Sequence, residues 1–251
     1  GRARGKVVWA NTANGLLVLG VPARMAGLHT SECDTRKSYV MMLVATLLFI
    51  AMAFTGTFTW VHGLILLAAL ALTLIDQGRD ALRHRREAPG EEEDVEGADP
   101  NMPWWKILVF LVLGLAGLPL GAEILVEAAT DIARDFGLSD TVIGLTLVAI
   151  GTSLPELATT VMAALRRQAD VALGNVIGSN LFNLLGIIGV ASIFGNIPVD
   201  QQFLTQDLWV MLVATLLIAP FVFSNKLNMT RGWGVALTAA YAAYLWIAVH
   251  P

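Results

Sequence analysis

Residues 151–156 read Gly-Thr-Ser-Leu-Pro-Glu, and residues 174–183 read Gly-Asn-Val-Ile-Gly-Ser-Asn-Leu-Phe-Asn. Both stretches interrupt strongly apolar segments: Leu145–Ile150 precedes the first and Leu184–Phe194 follows the second. A carboxylate well inside a membrane span costs roughly 3 kcal/mol or more, so Glu156 is expected to face a partner or a wet cavity. Pro155 removes a backbone donor and frees an upstream carbonyl. Irregular backbone at that depth is tolerated only where it is buried or lines a cavity. Two broken helices bearing hydroxyl, carboxamide and carboxylate oxygens predict a site for a hard cation. Asn175 and Asn180 read as supports for the broken helix ends.

Composition agrees with a membrane setting. Mean hydropathy is +0.66, 56% of residues are hydrophobic and 14% are charged, which argues against a soluble domain. No basic patch with interleaved aromatics points to nucleic acid. The single cysteine, Cys33, excludes an intramolecular disulfide, and the four histidines show no zinc spacing. No signal peptide is recognisable in the opening Gly1-Arg2-Ala3-Arg4, which lacks Met and suggests that the sequence begins inside a longer chain.

Eight apolar stretches stand out, near 7–23, 39–55, 58–75, 104–130, 141–165, 171–194, 208–223 and 232–249. A span needs about 20 apolar residues, so each is a candidate membrane helix. In the fourth, Gly114, Gly117, Pro119 and Gly121 are expected to bend the helix or admit close contact.

A duplication organises these spans. Met42–Leu48 recurs verbatim as Met211–Leu217, a shift of 169 residues. The same shift, without a gap, lays Gly5 on Gly174, Asn11 on Asn180, Asn14 on Asn183, Gly20 on Gly189 and Gly63 on Gly232. One register over so much chain is a repeat. The second copy holds five spans; the first shows three, so its first two spans are expected to be absent from this sequence. Five is odd, so the copies are expected to lie inverted, with a site between them at the membrane midplane. The expected fold is therefore an all-α polytopic membrane protein of inverted five-helix repeats, with about eight helices present. Residues 1–76 form the partial first repeat, 77–103 an acidic cytoplasmic linker and 104–251 the complete second repeat.

The two motifs and their spacing resemble the second α-repeat of the calcium/cation antiporters, the sodium/calcium exchanger superfamily, and most nearly its compact prokaryotic members. The resemblance extends upstream through Gly121–Thr146. It implies that Thr152, Ser153, Glu156, Ser179 and Asn183 bind the transported ion. Some relatives carry Asp at the position of Asn183. In the first copy, only Asn14 survives at a ligand position of the family. There Trp9-Ala10-Asn11 stands where the second copy has Gly178-Ser179-Asn180, and Lys6 stands for Asn175. Trp9, in place of a close-packing glycine, is expected to hinder helix approach. Glu123 and Glu127 share a helical face; they read as a solvated helix end or as an outer entrance that concentrates cations. Gly144 and Gly151 read as close-contact positions.

Loop charge sets the orientation. With the long loop cytoplasmic, 12 of the 16 basic residues lie inside, Arg24, Arg36, Arg166, Arg167, Lys226 and Arg231 among them. The run Glu91-Glu92-Glu93-Asp94 then reads as a solvated linker, without the ligand spacing of an EF-hand.

The resemblance implies a secondary antiporter exchanging sodium or protons for calcium in a prokaryotic inner membrane. The lipid bilayer and these ions are its partners, with no cofactor and no catalysis. Whether copies associate is left open. The competing expectation is a truncated half-antiporter, inert or acting as an assembly partner. An intramembrane hydrolase built on Ser153 lacks a nearby His or Lys base.

Overall fold

In lipid every backbone polar group must be paired within the chain, so apolar stretches of this length form helices. The computed structural model describes residues 2–87, 102–137, 150–201 and 203–249. Glu91–Asp94, Gly144 and the leading part of the 141–165 stretch lie outside the described residues. Helix α1 (Arg2–Ala13) passes through a π-helical turn (Asn14–Val18) into α2 (Leu19–Ala26). Then come α3 (Arg36–Ala53), α4 (Trp60–Glu87) and α5 (Trp104–Asp135). Helix α6 (Leu154–Leu165) is followed by α7 (Ala169–Leu181), which continues through a second π-helical turn (Phe182–Ile187) into α8 (Ile188–Phe194). Helices α9 (Leu208–Phe223) and α10 (Arg231–Val249) close the chain.

Counted as continuous helical segments, these match the eight apolar stretches in order. Five of the segments are long and apolar enough to cross a membrane. The α1–α2 segment falls outside that set because Arg2, Arg4, Lys6, Asn11 and Asn14 dilute its hydropathy. The pattern of burial is the reverse of a soluble protein's. Large apolar side chains face outward, Leu72, Leu115 and Ile124 each about two-thirds exposed, while Asn11, Thr12, Asn14, Thr46, Ser153, Thr160 and Asn180 are buried. Such a surface is stable only against hydrocarbon.

One feature of the sequence reading is corrected. The second motif lies in an unbroken helical segment; a π-helical turn absorbs the irregularity without unwinding the chain. Two short backbone links tie the helices of this all-α fold together. Strand β1 (Thr57–Phe58) pairs antiparallel with β2 (Ile197–Pro198), and Leu28 bridges Met229. Each link joins the exit of one copy's kinked helix to the loop before the last helix of the other, pairing loop backbone groups at the helix ends.

The copies also interlock through their helices. Helix α2 packs on α10 and α8 packs on α4, so each copy's third span lies against the other's last. Glycine makes this approach possible. A Cβ on Gly63 would stand 2.7 Å from the Gly189 carbonyl oxygen, and one on Gly20 would stand 2.7 Å from Thr238 Oγ1. The duplication aligns Gly63 with Gly232, yet the tight position on α10 is Gly234, against the backbone of Gly20, Ala23 and Arg24.

Helix α5 sits at the edge of the bundle. None of its residues is buried, and Gly114, Gly117 and Gly121 make no close helix contact among the described residues. Its helix runs on through Pro119. Just ahead of α6, a Cβ on Gly151 would collide with Val126 of α5.

Between the copies, buried Tyr39 donates its hydroxyl to the Thr215 carbonyl oxygen at 2.8 Å. Tyr39→Phe removes that donor and nothing else. It should cost about 1 kcal/mol and lower the thermal midpoint in detergent by a few degrees; an unchanged midpoint would show that the bond contributes nothing.

Candidate cation-binding site

Helix α6 begins where the first motif predicts a break. Ile150 and Gly151 are helical, Thr152 and Ser153 form a turn, and α6 starts at Leu154 with Pro155 in its first turn. Proline suits that place because its missing N–H would be unpaired there in any case. Glu156 also falls in the first turn, where the positive end of the helix dipole favours a carboxylate.

From α7, Ser179 donates its hydroxyl to Glu156 Oε1 at 2.9 Å. Asn14, at the start of the first π-helical turn, donates to Ser179 Oγ at 3.2 Å and to Asn180 Oδ1 at 3.0 Å. Asn175 fastens α7 to α6, its amide lying 3.2 Å from the Glu156 carbonyl, 2.8 Å from Thr159 Oγ1 and 2.9 Å from Thr160 Oγ1. Asn183 turns elsewhere, donating to Asn11 Oδ1 at 2.9 Å.

These asparagine bonds reveal the symmetry of the molecule. Under the 169-residue shift, Asn14 to Asn180 and Asn183 to Asn11 are the same bond, made at 3.0 and 2.9 Å. Asn11 also donates to the carbonyl of Asn180, its own counterpart, at 3.3 Å. Two equivalent residues touch only at the axis that relates them. Moving from Asn11 to Asn14 steps the partner back from Asn183 to Asn180, so the helices cross antiparallel. The copies are inverted, and the polar network lies on their axis. The two π-helical turns, beginning at Asn14 and one residue before Asn183, sit at matching places.

Three buried oxygens around this network lack a hydrogen-bond partner: Glu156 Oε2, Ser153 Oγ and Asn14 Oδ1. Each would cost about 1–3 kcal/mol left unsatisfied. A carboxylate, a hydroxyl and a carboxamide oxygen together form a donor set for a hard cation. Among the described residues Glu156 is the one carboxylate in this hydrogen-bonded network, and no group of three or more His, Cys, Asp or Glu side chains could hold a metal ion.

Of the six residues singled out from sequence, the structure brings Glu156, Ser179 and Asn14 into one hydrogen-bonded chain and buries Ser153 three residues before Glu156. Asn183 joins through Asn11, and Thr152 is exposed. Asn11 and Thr160 escaped the sequence reading; the repeat register, which lays Asn11 and Asn14 on Asn180 and Asn183, carried the signal for the first. Gly178 is corrected as well: a Cβ there meets nothing within 4 Å among the described residues, so it is not a packing glycine. Trp9, its counterpart, is partly buried and packs against the core. Glu123 and Glu127 are exposed on α5.

The comparisons with known proteins agree with this architecture. The family model described as sodium/calcium exchanger protein matches residues 2–77 and 106–250. The inner membrane protein YrbG of Escherichia coli is 30% identical over 249 residues, covering 97% of this chain and 75% of its own length. The sodium/calcium exchanger MaX1 of Methanosarcina acetivorans is 40% identical over 117 residues, 47% of this chain and 33% of its own. A solved structure of the sodium-calcium exchanger NCX_Mj superposes with a TM-score of 0.76 at 29% identity, covering 100% of this chain and 77% of that one. An inverted repeat closed around a polar axis, a surface suited to lipid and a family match over nearly the whole chain lead to one conclusion: this is an integral multi-pass membrane protein that belongs to the sodium/calcium exchanger protein family.

Proposed function

We propose that the protein is a secondary antiporter exchanging sodium or protons for calcium by alternating access. The observation that carries this reading is the set of unpartnered buried oxygens, Glu156 Oε2, Ser153 Oγ and Asn14 Oδ1, beside the axis of the inverted repeat. Glu156 offsets the charge of the ion, and hydroxyl and carboxamide oxygens replace part of its hydration. Ser179 holds one carboxylate oxygen, which leaves the other for the cargo. Competing ions share that oxygen, so occupancy by one excludes another. Exchange also requires that an empty site change sides poorly. The Glu156 charge supplies a reason: uncompensated, it must cross a dry intermediate at high cost. Sodium/calcium exchange is what the names of MaX1 and NCX_Mj state for those proteins; here it is the proposal.

The test is calcium uptake into proteoliposomes with an outward sodium gradient, with an outward proton gradient, and with neither. Uptake that needs one gradient identifies the counter-ion. Equal uptake without any gradient would mean a leak and sink exchange. No uptake by folded protein would support the inert half-antiporter.

A further inference from the structure

A cavity of about 520 Å³ lies away from the ion site, between the two copies of the repeat. Its walls are the end of α2 with the following turn (Met25–His29), the α6–α7 turn and the start of α10. Three of its side chains carry or can carry positive charge: Arg167, Arg231 and His29. None of them has a side-chain hydrogen bond or an ion pair among the described residues. Basic residues at cytoplasmic helix ends orient a membrane protein without any ligand. These differ in being gathered from three segments around one cavity.

The backbone adds to the same field. Helices α7 and α10 both begin at this cavity, at Ala169 and Arg231. Their first N–H groups present positive partial charge and unpaired donors. Arg167 is the one non-glycine residue with positive φ, 58°, among the described residues. The left-handed backbone turns the chain sharply between α6 and α7 and costs about 1–3 kcal/mol. Arg24 and Arg166, both exposed nearby in sequence, extend the positive patch, and Asp170 in the first turn of α7 is the opposing charge. The apolar Met25 and Leu165 are exposed at the cavity, 48% and 54%.

The geometry points to a binding site for a phosphate-bearing anion at the cytoplasmic face, with Arg167 and Arg231 as its chief ligands and His29 beside them. Guanidinium groups grip phosphate through paired N–H donors, and the helix N-termini complete the cradle. Phosphate can arrive as a lipid headgroup or as a soluble compound. Exposed Met25 and Leu165 provide an apolar margin that suits an acyl chain, and basic residues at a cytoplasmic interface attract anionic lipids. Because the walls come from both copies, an occupant would tie α2 to the α6–α7 turn. Binding itself does not depend on ion exchange, so it stands or falls separately from the proposed transport.

The experiment uses the whole chain. Protein in nanodiscs of phosphatidylcholine, with and without phosphatidic acid, is followed by thermal unfolding, and lipid retention is read by native mass spectrometry. Detergent-purified protein is titrated with inorganic phosphate. Phosphatidic acid should be retained and should raise the midpoint. R167Q/R231Q should bind at least about tenfold more weakly, and R167K/R231K should recover part of the loss. Stabilisation by phosphatidic acid alone identifies a lipid headgroup; stabilisation by inorganic phosphate as well identifies the bare anion. Either supports the site. Binding by neither probe, or equal binding by wild type and R167Q/R231Q, overturns it. Should the double variant fail to fold, R231Q alone carries the comparison, with the same weakening expected and equal binding again decisive against the site.

Discussion

Glu156→Gln should abolish calcium uptake, lowering the initial rate at least about 100-fold while leaving the protein folded. The substitution keeps the shape of the side chain and removes its charge. Ser179 can still donate to the amide oxygen, so the chain from Asn14 through Ser179 should survive. What is lost is the attraction for the cargo. Two unit charges about 4 Å apart interact by roughly 4 kcal/mol at an effective dielectric constant near 20, and a divalent ion doubles that. Dehydration of the ion is common to both proteins, so the comparison reads the lost attraction, which exceeds the roughly 2.7 kcal/mol that corresponds to 100-fold. The glutamine NH2 can also turn its donors toward the cation, where only an acceptor is useful. Uptake by the variant at the wild-type rate, from protein with an unchanged melting midpoint, would remove Glu156 from the mechanism. Glu156→Asp, which keeps the charge but shortens the reach, should fall between the two.

The second large effect is on stability. Gly234→Val should destabilise the fold by about 3 kcal/mol and lower the melting midpoint by on the order of 10 °C. A Cβ at Gly234 would lie 2.7 Å from both the Ala23 carbonyl carbon and the Gly20 oxygen, and closer still to the Arg24 nitrogen. All three are backbone atoms of α2 and cannot rotate aside. Helices α2 and α10 would have to separate, and with them the interlock between the copies. Gly178→Ala is the control, because a Cβ there meets nothing within 4 Å among the described residues. Alanine's better helix propensity should make that variant as stable as the parent or up to about 1 kcal/mol more so. If both variants melt alike, the close approach at Gly234 does not hold the repeats together.

The contrast between these two glycines shows where sequence reasoning ran out. Gly178 lies in the diagnostic motif, which marks it as a packing position, whereas no motif marks Gly234. Whether a glycine is crowded depends on which helix lies opposite. That is decided by the crossing of α2 with α10 and of α8 with α4, elements far apart in the chain. The asparagines teach the same lesson. The repeat register paired Asn11 with Asn180 and Asn14 with Asn183 as equivalents. That these equivalents bond crosswise over an axis follows only from the antiparallel crossing.

By itself the sequence determined the membrane setting, the order of the helical segments, the duplication and the motifs that hold the polar residues. These are local properties. Hydropathy over about 20 residues decides whether a segment enters lipid, and a gap-free register decides whether two halves share a fold. Only the tertiary structure decided that the second motif bends through a π-helical turn instead of breaking, that Ser179 takes one oxygen of Glu156 while the other is left bare, and that basic residues from both copies surround one cavity. Each depends on side chains far apart in sequence meeting at hydrogen-bond or van der Waals distance. Contacts of that range are fixed by how the helices cross, which neither composition nor periodicity encodes.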